Sequence, residues 1–113
     1  MSRESAADFI TKGNALCAER RYEEAISAYD RTILINPNDA DAHINKGITL
    51  NNLQRYEEAI SAYDSAIGIN PNNARAHMNK GNTLNNLQRY EEAILAYDRT
   101  ILINPNDADD FSL

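Results

Sequence analysis

The chain has 113 residues, of which 42% are hydrophobic and 25% charged, a composition and length typical of one folded domain. Its 17 acidic and 11 basic side chains give a net charge of −6, which argues against a nucleic-acid or anionic-membrane surface, since both require a basic patch. The single cysteine, Cys17, can form neither an internal disulfide nor a metal cluster, and with no apolar run of membrane-spanning length and no secretory signal we expect a cytoplasmic protein.

The sequence repeats with a fixed period of 34 residues. The string RYEEAI begins at Arg21, Arg55 and Arg89, and Asn-Pro and Lys-Gly pairs recur at the same spacing. Such a period is typical of repeat architectures. We therefore expect a single domain over 1–113 that consists of three units and a short tail: 6–39, 40–73, 74–107 and 108–113.

Each unit reads as two helices, because apolar residues recur at helical spacing and turn residues separate them. Ser5 followed by Asp8 resembles a capping box. Asn38 and Asp39, and likewise Asn72 and Asn73, stand where an N-cap is expected. Proline follows the second helix of each unit and cannot continue it. The sequence thus predicts an all-α protein with six helices, over 5–19, 22–35, 40–53, 56–69, 74–87 and 90–103.

A glycine lies in the middle of the first helix of each unit, at Gly13, Gly47 and Gly81. A mid-helix glycine costs about 1 kcal/mol relative to alanine, so its recurrence indicates a close approach of the second helix at its alanine, with a tyrosine such as Tyr63 filling the volume beside the contact. We therefore expect Gly47→Leu to destabilise the protein by roughly 1–3 kcal/mol.

The repeat closely resembles the tetratricopeptide repeat, whose unit is a helix pair of about 34 residues. In the second unit the family's small, large, tyrosine, alanine, aromatic, small and proline positions are Gly47, Leu50, Tyr56, Ala59, Tyr63, Ala66 and Pro71. The other units match at most equivalent positions, but His43 and His77 stand where tryptophan is usual, and Thr32 and Thr100 replace a small residue. The resemblance implies a right-handed α-solenoid of three helix-turn-helix repeats.

Repeats of this family are generally protein-binding scaffolds, and the first helix of each pair lines their concave groove. Transferring those positions gives a groove rich in amides, with a few apolar groups. Asparagine both donates and accepts hydrogen bonds, so a ladder of asparagines can bind an extended peptide backbone, although asparagines at these positions can also be merely solvated. The peptide-binding residues so predicted are Asn14, Ile44, Asn45, Ile48, Asn51, Asn52, Arg75, Met78, Asn79, Asn82, Asn85 and Asn86.

Some members of the family hold a partner's terminal carboxylate in a clamp of lysine, asparagine and arginine. Asn14, Asn45 and Arg75 match three of its five places, but Ile10 and Asn79 stand where cations are needed. Because a clamp depends on converging positive charge, we do not expect one here.

No residue pattern predicts catalysis, a metal or a cofactor, so we expect the protein not to be an enzyme. His43 and His77 occupy equivalent places, but no carboxylate or cysteine recurs beside them, which favours packing over a shared metal. Cys17 stands where the other units have asparagine, and the repeat places no base near it.

The tail after the third unit is too short for a stable helix, so we expect a solenoid without a complete C-terminal capping helix and with an apolar side left open. The residues concerned are Ile94, Tyr97, Ile101 and, in the tail, Phe111. Three explanations stay open: the chain comes from a longer array, its tail folds back, or another molecule covers this side. The alternative to a peptide-binding scaffold is therefore a self-associating unit, and an engineered scaffold without a native ligand would look the same.

Overall fold

The computed structural model describes residues 4–105, which contain six α-helices and no β-strand. Every helix end lies within one residue of its predicted position, so the all-α prediction is confirmed. The helices are α1 (Ala6–Ala18), α2 (Tyr22–Ile35), α3 (Ala40–Asn52), α4 (Tyr56–Ile69), α5 (Ala74–Asn86) and α6 (Tyr90–Ile103).

Side-chain caps begin the first helix of every unit. The Ser5 hydroxyl accepts a hydrogen bond from the N–H of Asp8, and the Asp8 carboxylate accepts one from the N–H of Ser5. Asp39 and Asn73 accept from the backbone N–H groups of Ala42 and Ala76. These bonds satisfy donors that have no partner inside the helix, and they confirm the predicted caps.

The turn inside each unit uses a left-handed residue that is not glycine. Arg20, Gln54 and Gln88 have φ of 61°, 62° and 61°. In the second unit, the N–H of Arg55 then bonds to the carbonyl of Leu50 at 2.9 Å, which closes the end of α3. Because glycine usually marks this conformation, the sequence contains no signal for it.

The helices pack in chain order, α1 on α2, α2 on α3, and so on to α6. The central core joins Ile26, Ile44 and Leu50 to Tyr63 and small alanines, so it includes side chains of all three units. A continuous core between neighbouring units is what makes a solenoid cooperative.

A tyrosine ring fills the space over each mid-helix glycine. A Cβ at Gly47 would lie 2.5 Å from Cε1 of Tyr63, and one at Gly81 would lie 2.7 Å from Cε1 of Tyr97. The crowding predicted at these glycines is confirmed, but it comes from the tyrosine ring: the alanine of the second helix, at which the close approach was expected, is not among the nearest atoms.

Two ion pairs repeat at each junction between units. Lys46 Nζ lies 2.7 Å from Asp30, and Arg55 Nη1 lies 3.2 Å from Glu23. At the next junction the equivalent pairs, Lys80 with Asp64 and Arg89 with Glu57, have the same two distances of 2.7 and 3.2 Å. Exposed pairs of this kind contribute at most about 1 kcal/mol each, but their repetition shows that both junctions share one register.

Within residues 4–105, no helix combines the length and the apolar character that crossing a membrane requires.

Candidate functional site

The first helices of the three units form one continuous face, since α3 contacts both α1 and α5. Most of the predicted groove residues lie on it. Their side chains are largely polar and at least partly exposed, and they form two hydrogen-bonded chains that cross the unit boundaries.

The first chain links all three units through Arg75, Asn45 and Asn14. Arg75 Nη2 donates to Oδ1 of Asn45 at 2.7 Å, and Nδ2 of Asn45 donates to Oδ1 of Asn14 at 3.3 Å. The same Asn14 oxygen accepts from the Tyr29 hydroxyl at 2.6 Å. Asp41 lies 3.6 Å from Arg75 Nη1, so the guanidinium has both an amide and a carboxylate beside it.

The second chain joins the second and third units at Asn51. Its Oδ1 accepts from the Thr83 hydroxyl at 3.0 Å and from Nδ2 of Asn86 at 3.1 Å. These bonds orient the three side chains and leave the Asn86 oxygen and the Asn51 amide nitrogen for other partners.

Cys17 breaks this pattern between the first and second units. It occupies the position that Asn51 holds in the second unit, and its Sγ lies 3.1 Å from the Thr49 hydroxyl, which donates instead to the backbone carbonyl of Asn45 at 2.8 Å. As a result, Asn52, the counterpart of Asn86, makes no side-chain hydrogen bond to any residue in the range 4–105. The substitution predicted to be simply tolerated therefore leaves an exposed amide without a partner in the groove.

A cleft of about 240 Å³ opens beside this amide. Its floor includes the Tyr29 and Thr49 hydroxyls, and its rim carries amide, thiol and guanidinium groups. The lining residues are Asn14, Cys17, Tyr29, Asn45, Ile48, Thr49, Asn52 and Arg75. With both donors and acceptors at its rim, the cleft can take the peptide groups of an extended chain.

Two buried tyrosine hydroxyls lie next to the groove, and that of Tyr29 is a fixed donor to Asn14. Burial raises the pKa of Tyr29 well above its usual value, and its hydrogen bond with Cys17 raises it further. Burial also raises the pKa of Tyr63 to about 12. Both groups therefore remain protonated near neutral pH, and Tyr29 keeps donating to Asn14.

The remaining predicted groove residues differ in availability. Asn79 donates to the carbonyl of Arg75 in its own helix at 2.8 Å, and Asn82 accepts from the Tyr97 hydroxyl at 2.6 Å. Asn85 is exposed and makes no side-chain hydrogen bond within the described range, whereas Met78 and Ile48 are partly buried.

The prediction that Ile44 lines the groove is wrong, because its side chain is 0% exposed. It packs in the central core with Ile26 and Tyr63. Its position on the first helix turns it toward the preceding unit rather than toward the groove, and a peptide cannot reach it.

The two histidines have a backbone role that the sequence did not reveal. His43 Nε2 lies 3.0 Å from the carbonyl of Pro37, and His77 Nε2 lies 2.9 Å from that of Pro71. Each ring thus holds the turn that enters its own unit. Across residues 4–105, no three histidine, cysteine or acidic side chains are grouped as metal ligands.

The predicted open side of α6 is exposed. Ile94 is 57% exposed, whereas its counterparts Ile26 and Ile60 are 8% exposed. Tyr97 and Ile101 are partly exposed, and Phe111 lies outside the described residues. Leu95, which was not among the predicted residues, is 69% exposed and replaces the serine found at this position in the other two units.

Two family models described as tetratricopeptide repeat match the sequence, one over residues 10–74 and the other over residues 74–107. The chain belongs to the tetratricopeptide repeat family. The resemblance predicted from the repeat positions is therefore confirmed, whereas no curated protein sequence matches the chain.

Solved structures of tetratricopeptide repeat proteins share the fold. The second such domain of Spaghetti (RPAP3), bound to the HSP90 peptide SRMEEVD, is 26% identical, with a TM-score of 0.84 over 89% of this chain and 94% of that one. The first domain of the same protein, bound to the same peptide, is 25% identical, with a TM-score of 0.87 over 94% and 84%. YrrB, described as having an unusual peptide-binding site, is 27% identical, with a TM-score of 0.84 over 92% of this chain and 54% of its own.

Proposed function

We propose that the chain is a protein-interaction scaffold whose groove binds an extended peptide segment, centred on the cleft beside Asn52. The observation that carries this proposal is the exposed Asn52 side chain, which makes no hydrogen bond within residues 4–105, at the junction where Cys17 replaces asparagine. The peptide-bound Spaghetti domains support the general mode of binding. The proposal assigns no catalytic role to the chain.

Preorganisation of the groove favours binding. The Arg75, Asn45 and Asn14 chain already fixes its side chains across three helices. Fewer rotamers must therefore be ordered when a peptide binds, and each ordered side chain otherwise costs about 0.5–1.5 kcal/mol. Asn52 supplies both an acceptor and two donors, which match the C=O and N–H groups of a peptide backbone.

The arrangement around Arg75 favours an internal peptide segment over a free C-terminus. The guanidinium already donates to Asn45 and lies near Asp41. Ile10 and Asn79 stand at the positions where a carboxylate clamp needs cations. A terminal carboxylate would therefore find little positive charge that is not already shared. The neutral C=O and N–H groups of an internal segment do not need that charge to bind.

The test is selection from a displayed random peptide library, followed by fluorescence anisotropy with the selected peptides. Asn52→Ala should weaken binding about fivefold to tenfold, the effect of losing a hydrogen bond of about 1 kcal/mol. The matched control is Asn72→Ala, which removes an exposed amide from a turn outside the groove and should leave affinity unchanged. A selected peptide with an amidated C-terminus should bind as well as its free acid. Failure to select any peptide, or equal binding by the Asn52 and Asn72 variants, would contradict the proposal.

Cys17→Asn offers a second test that adds a group rather than removing one. The new amide should pair with Asn52 as Asn51 pairs with Asn86. Peptide affinity should therefore fall while thermal stability stays the same or rises. Unchanged affinity would show that the unpaired Asn52 amide is not what binds the peptide.

A second candidate function is self-association through the face of α6. The observation in its favour is the 57% exposure of Ile94, against 8% for its two counterparts. Sedimentation equilibrium over a wide concentration range tests it, on this chain and on a variant with a fourth capping helix. Association of the first but not the second is expected, and monomers in both samples would refute it.

A further inference from the structure

We infer that the face of α6 binds the first repeat of a second copy of this chain, in the register that joins successive repeats within the chain. This inference rests on the proposed self-association and names its partner surface. The C-terminal end of one copy would bind the N-terminal end of the next, and the contact between the first and second units within the chain shows how the two surfaces would fit.

The relevant cleft within the chain lies between α3 and α4 and has a volume of about 470 Å³. Ile26, Asp30 and Ile33 of the preceding unit line one side of it, and the second unit lines the other with residues that include Lys46 and Leu50. This cleft therefore lies along the contact between the second helix of one repeat and the repeat that follows it.

The first repeat has the equivalent cleft without that helix. A space of about 290 Å³ lies between α1 and α2, at the positions that the second unit contributes to its own cleft; it is lined by Phe9, Lys12, Leu16, Glu24, Ser27, Ala28 and Arg31. All the residues around it belong to the first repeat. The third unit has a comparable cleft lined by its own residues alone, although α4 packs on α5 there. What leaves the first repeat with one side of a junction is therefore the absence of a preceding helix within residues 4–105, not the lining of its cleft.

The exposed face of α6 has the residues that a preceding helix would place against the first repeat. Two repeats after Ile26, Asp30 and Ile33, the equivalent residues are Ile94, Asp98 and Ile101, so the apolar, acidic, apolar order is preserved. Burial of Ile94 in the first-repeat cleft of another copy would place it as its counterpart Ile26 is placed within the chain.

Charge complementarity singles out this pairing. Inside the chain, the counterparts of Lys12 and Asp98 form ion pairs at both junctions, each at 2.7 Å. Lys12 and Asp98 themselves form no ion pair within residues 4–105. The first-repeat cleft also holds Arg31, which lies 5.4 Å from the centre of the Phe9 ring and replaces the serine at position 65. The cleft thus carries two cations, Lys12 and Arg31, beside one carboxylate, Glu24, and Lys12 is the cation that would meet Asp98 of the α6 face.

These two surfaces are different, so the contact is heterologous. Each copy that joins leaves one free cleft and one free α6 face, and such contacts produce open-ended assemblies rather than closed dimers. Two α6 faces would instead bring Asp98 close to a second Asp98, and like charges disfavour that arrangement.

Charge exchange tests this register by analytical ultracentrifugation of the full chain. Lys12→Glu and Asp98→Lys should each weaken association about tenfold, because each places like charges at the junction. Both side chains are exposed and unpaired within residues 4–105, so the fold should be retained, which circular dichroism checks. In an equimolar mixture of the two variants, an array in which they alternate has opposite charges at every junction. The double variant carries both exchanges in each copy, so its junctions also have opposite charges, and its net charge is that of the original chain. Both should associate like the original protein.

Each outcome decides the inference. Weakening by each change and recovery in the mixture support it, and Asn52→Ala should leave association unaffected. If the original chain associates but both single variants associate equally well, self-association stands and this register is wrong. Growth that stops at a dimer also overturns the register. If the original chain remains monomeric at every concentration, the inference and the proposed self-association both fail.

Discussion

Substitution of glycine by alanine, which adds one methyl group, tests how closely the tyrosine rings pack against α1, α3 and α5. Gly47→Ala places a Cβ 2.5 Å from Cε1 and 2.8 Å from Cδ1 of Tyr63. The optimal separation between such carbon atoms is about 3.5–4.0 Å. Tyr63 is only 1% exposed, so its ring has no open space into which it can retreat.

Gly68→Ala is the matched control, because it makes the same chemical change in a helix where nothing lies within 4 Å of the new Cβ. Helix propensity favours alanine by about 1 kcal/mol at both sites, so Gly68→Ala should stabilise the protein by that amount. At Gly47, overpacking of roughly 1–3 kcal/mol opposes the same gain. The two variants should therefore differ by about 1–3 kcal/mol, or roughly 4–12 °C in Tm.

Gly81 provides an intermediate case. Its Cβ would approach Cε1 of Tyr97 to 2.7 Å, but that ring is partly exposed on the open side of α6. The ring can therefore move outward, and the penalty of Gly81→Ala should lie between those at Gly68 and Gly47. Equilibrium urea unfolding followed by far-UV circular dichroism measures all three. If Gly47→Ala is as stable as Gly68→Ala, the tight ring contact does not explain the recurring glycine.

Two further predictions concern the turns and the buried hydroxyls. Gln54→Gly should stabilise the protein by about 0.5–1 kcal/mol in urea unfolding, because glycine adopts the observed φ of 62° without strain, whereas Gln54→Ala should give no such gain. The folded-state pKa of Tyr63 is raised to about 12, so stability is complete below the unfolded-state pKa near 10 and falls as pH rises toward 12, by roughly 1 kcal/mol per pH unit. Tyr63→Phe should reduce that fall in urea midpoints measured above pH 9 without abolishing it, because Tyr29, whose pKa burial also raises, adds a fall of its own. An unchanged slope would show that Tyr63 does not contribute.

The helices were predictable because their signals are local. Caps such as Asp39 and Asn73 precede each first helix, and prolines such as Pro37 follow each second helix. Apolar spacing determines which side of each helix is buried. The left-handed residues at positions 20, 54 and 88 were not predictable, because arginine and glutamine carry no preference for that conformation, and the packing of the next helix imposes it.

The groove was only partly predictable, because family positions give the face but not the partners of its side chains. Ile44 lies on the correct helix, but neighbouring units bury it completely. The ion pairs between units, such as Lys46 with Asp30, left a recurring pattern of cations and acids in the sequence. The recurring charges are visible in the sequence, but their pairing can be assigned only once it is known which helices are in contact.

Near-identity of the repeats makes each position its own control. Where equivalent positions differ, their two environments can be compared within one molecule. Cys17 is such a case, since Asn51 satisfies Asn86 and Cys17 leaves Asn52 unsatisfied. Ile94 is the complementary case, in which the residue is unchanged and its neighbour is absent from the described structure. The first kind of departure changes what the groove can bind, and the second changes what the end of the solenoid can join, so mutations at the two sites should separate cleanly in their effects.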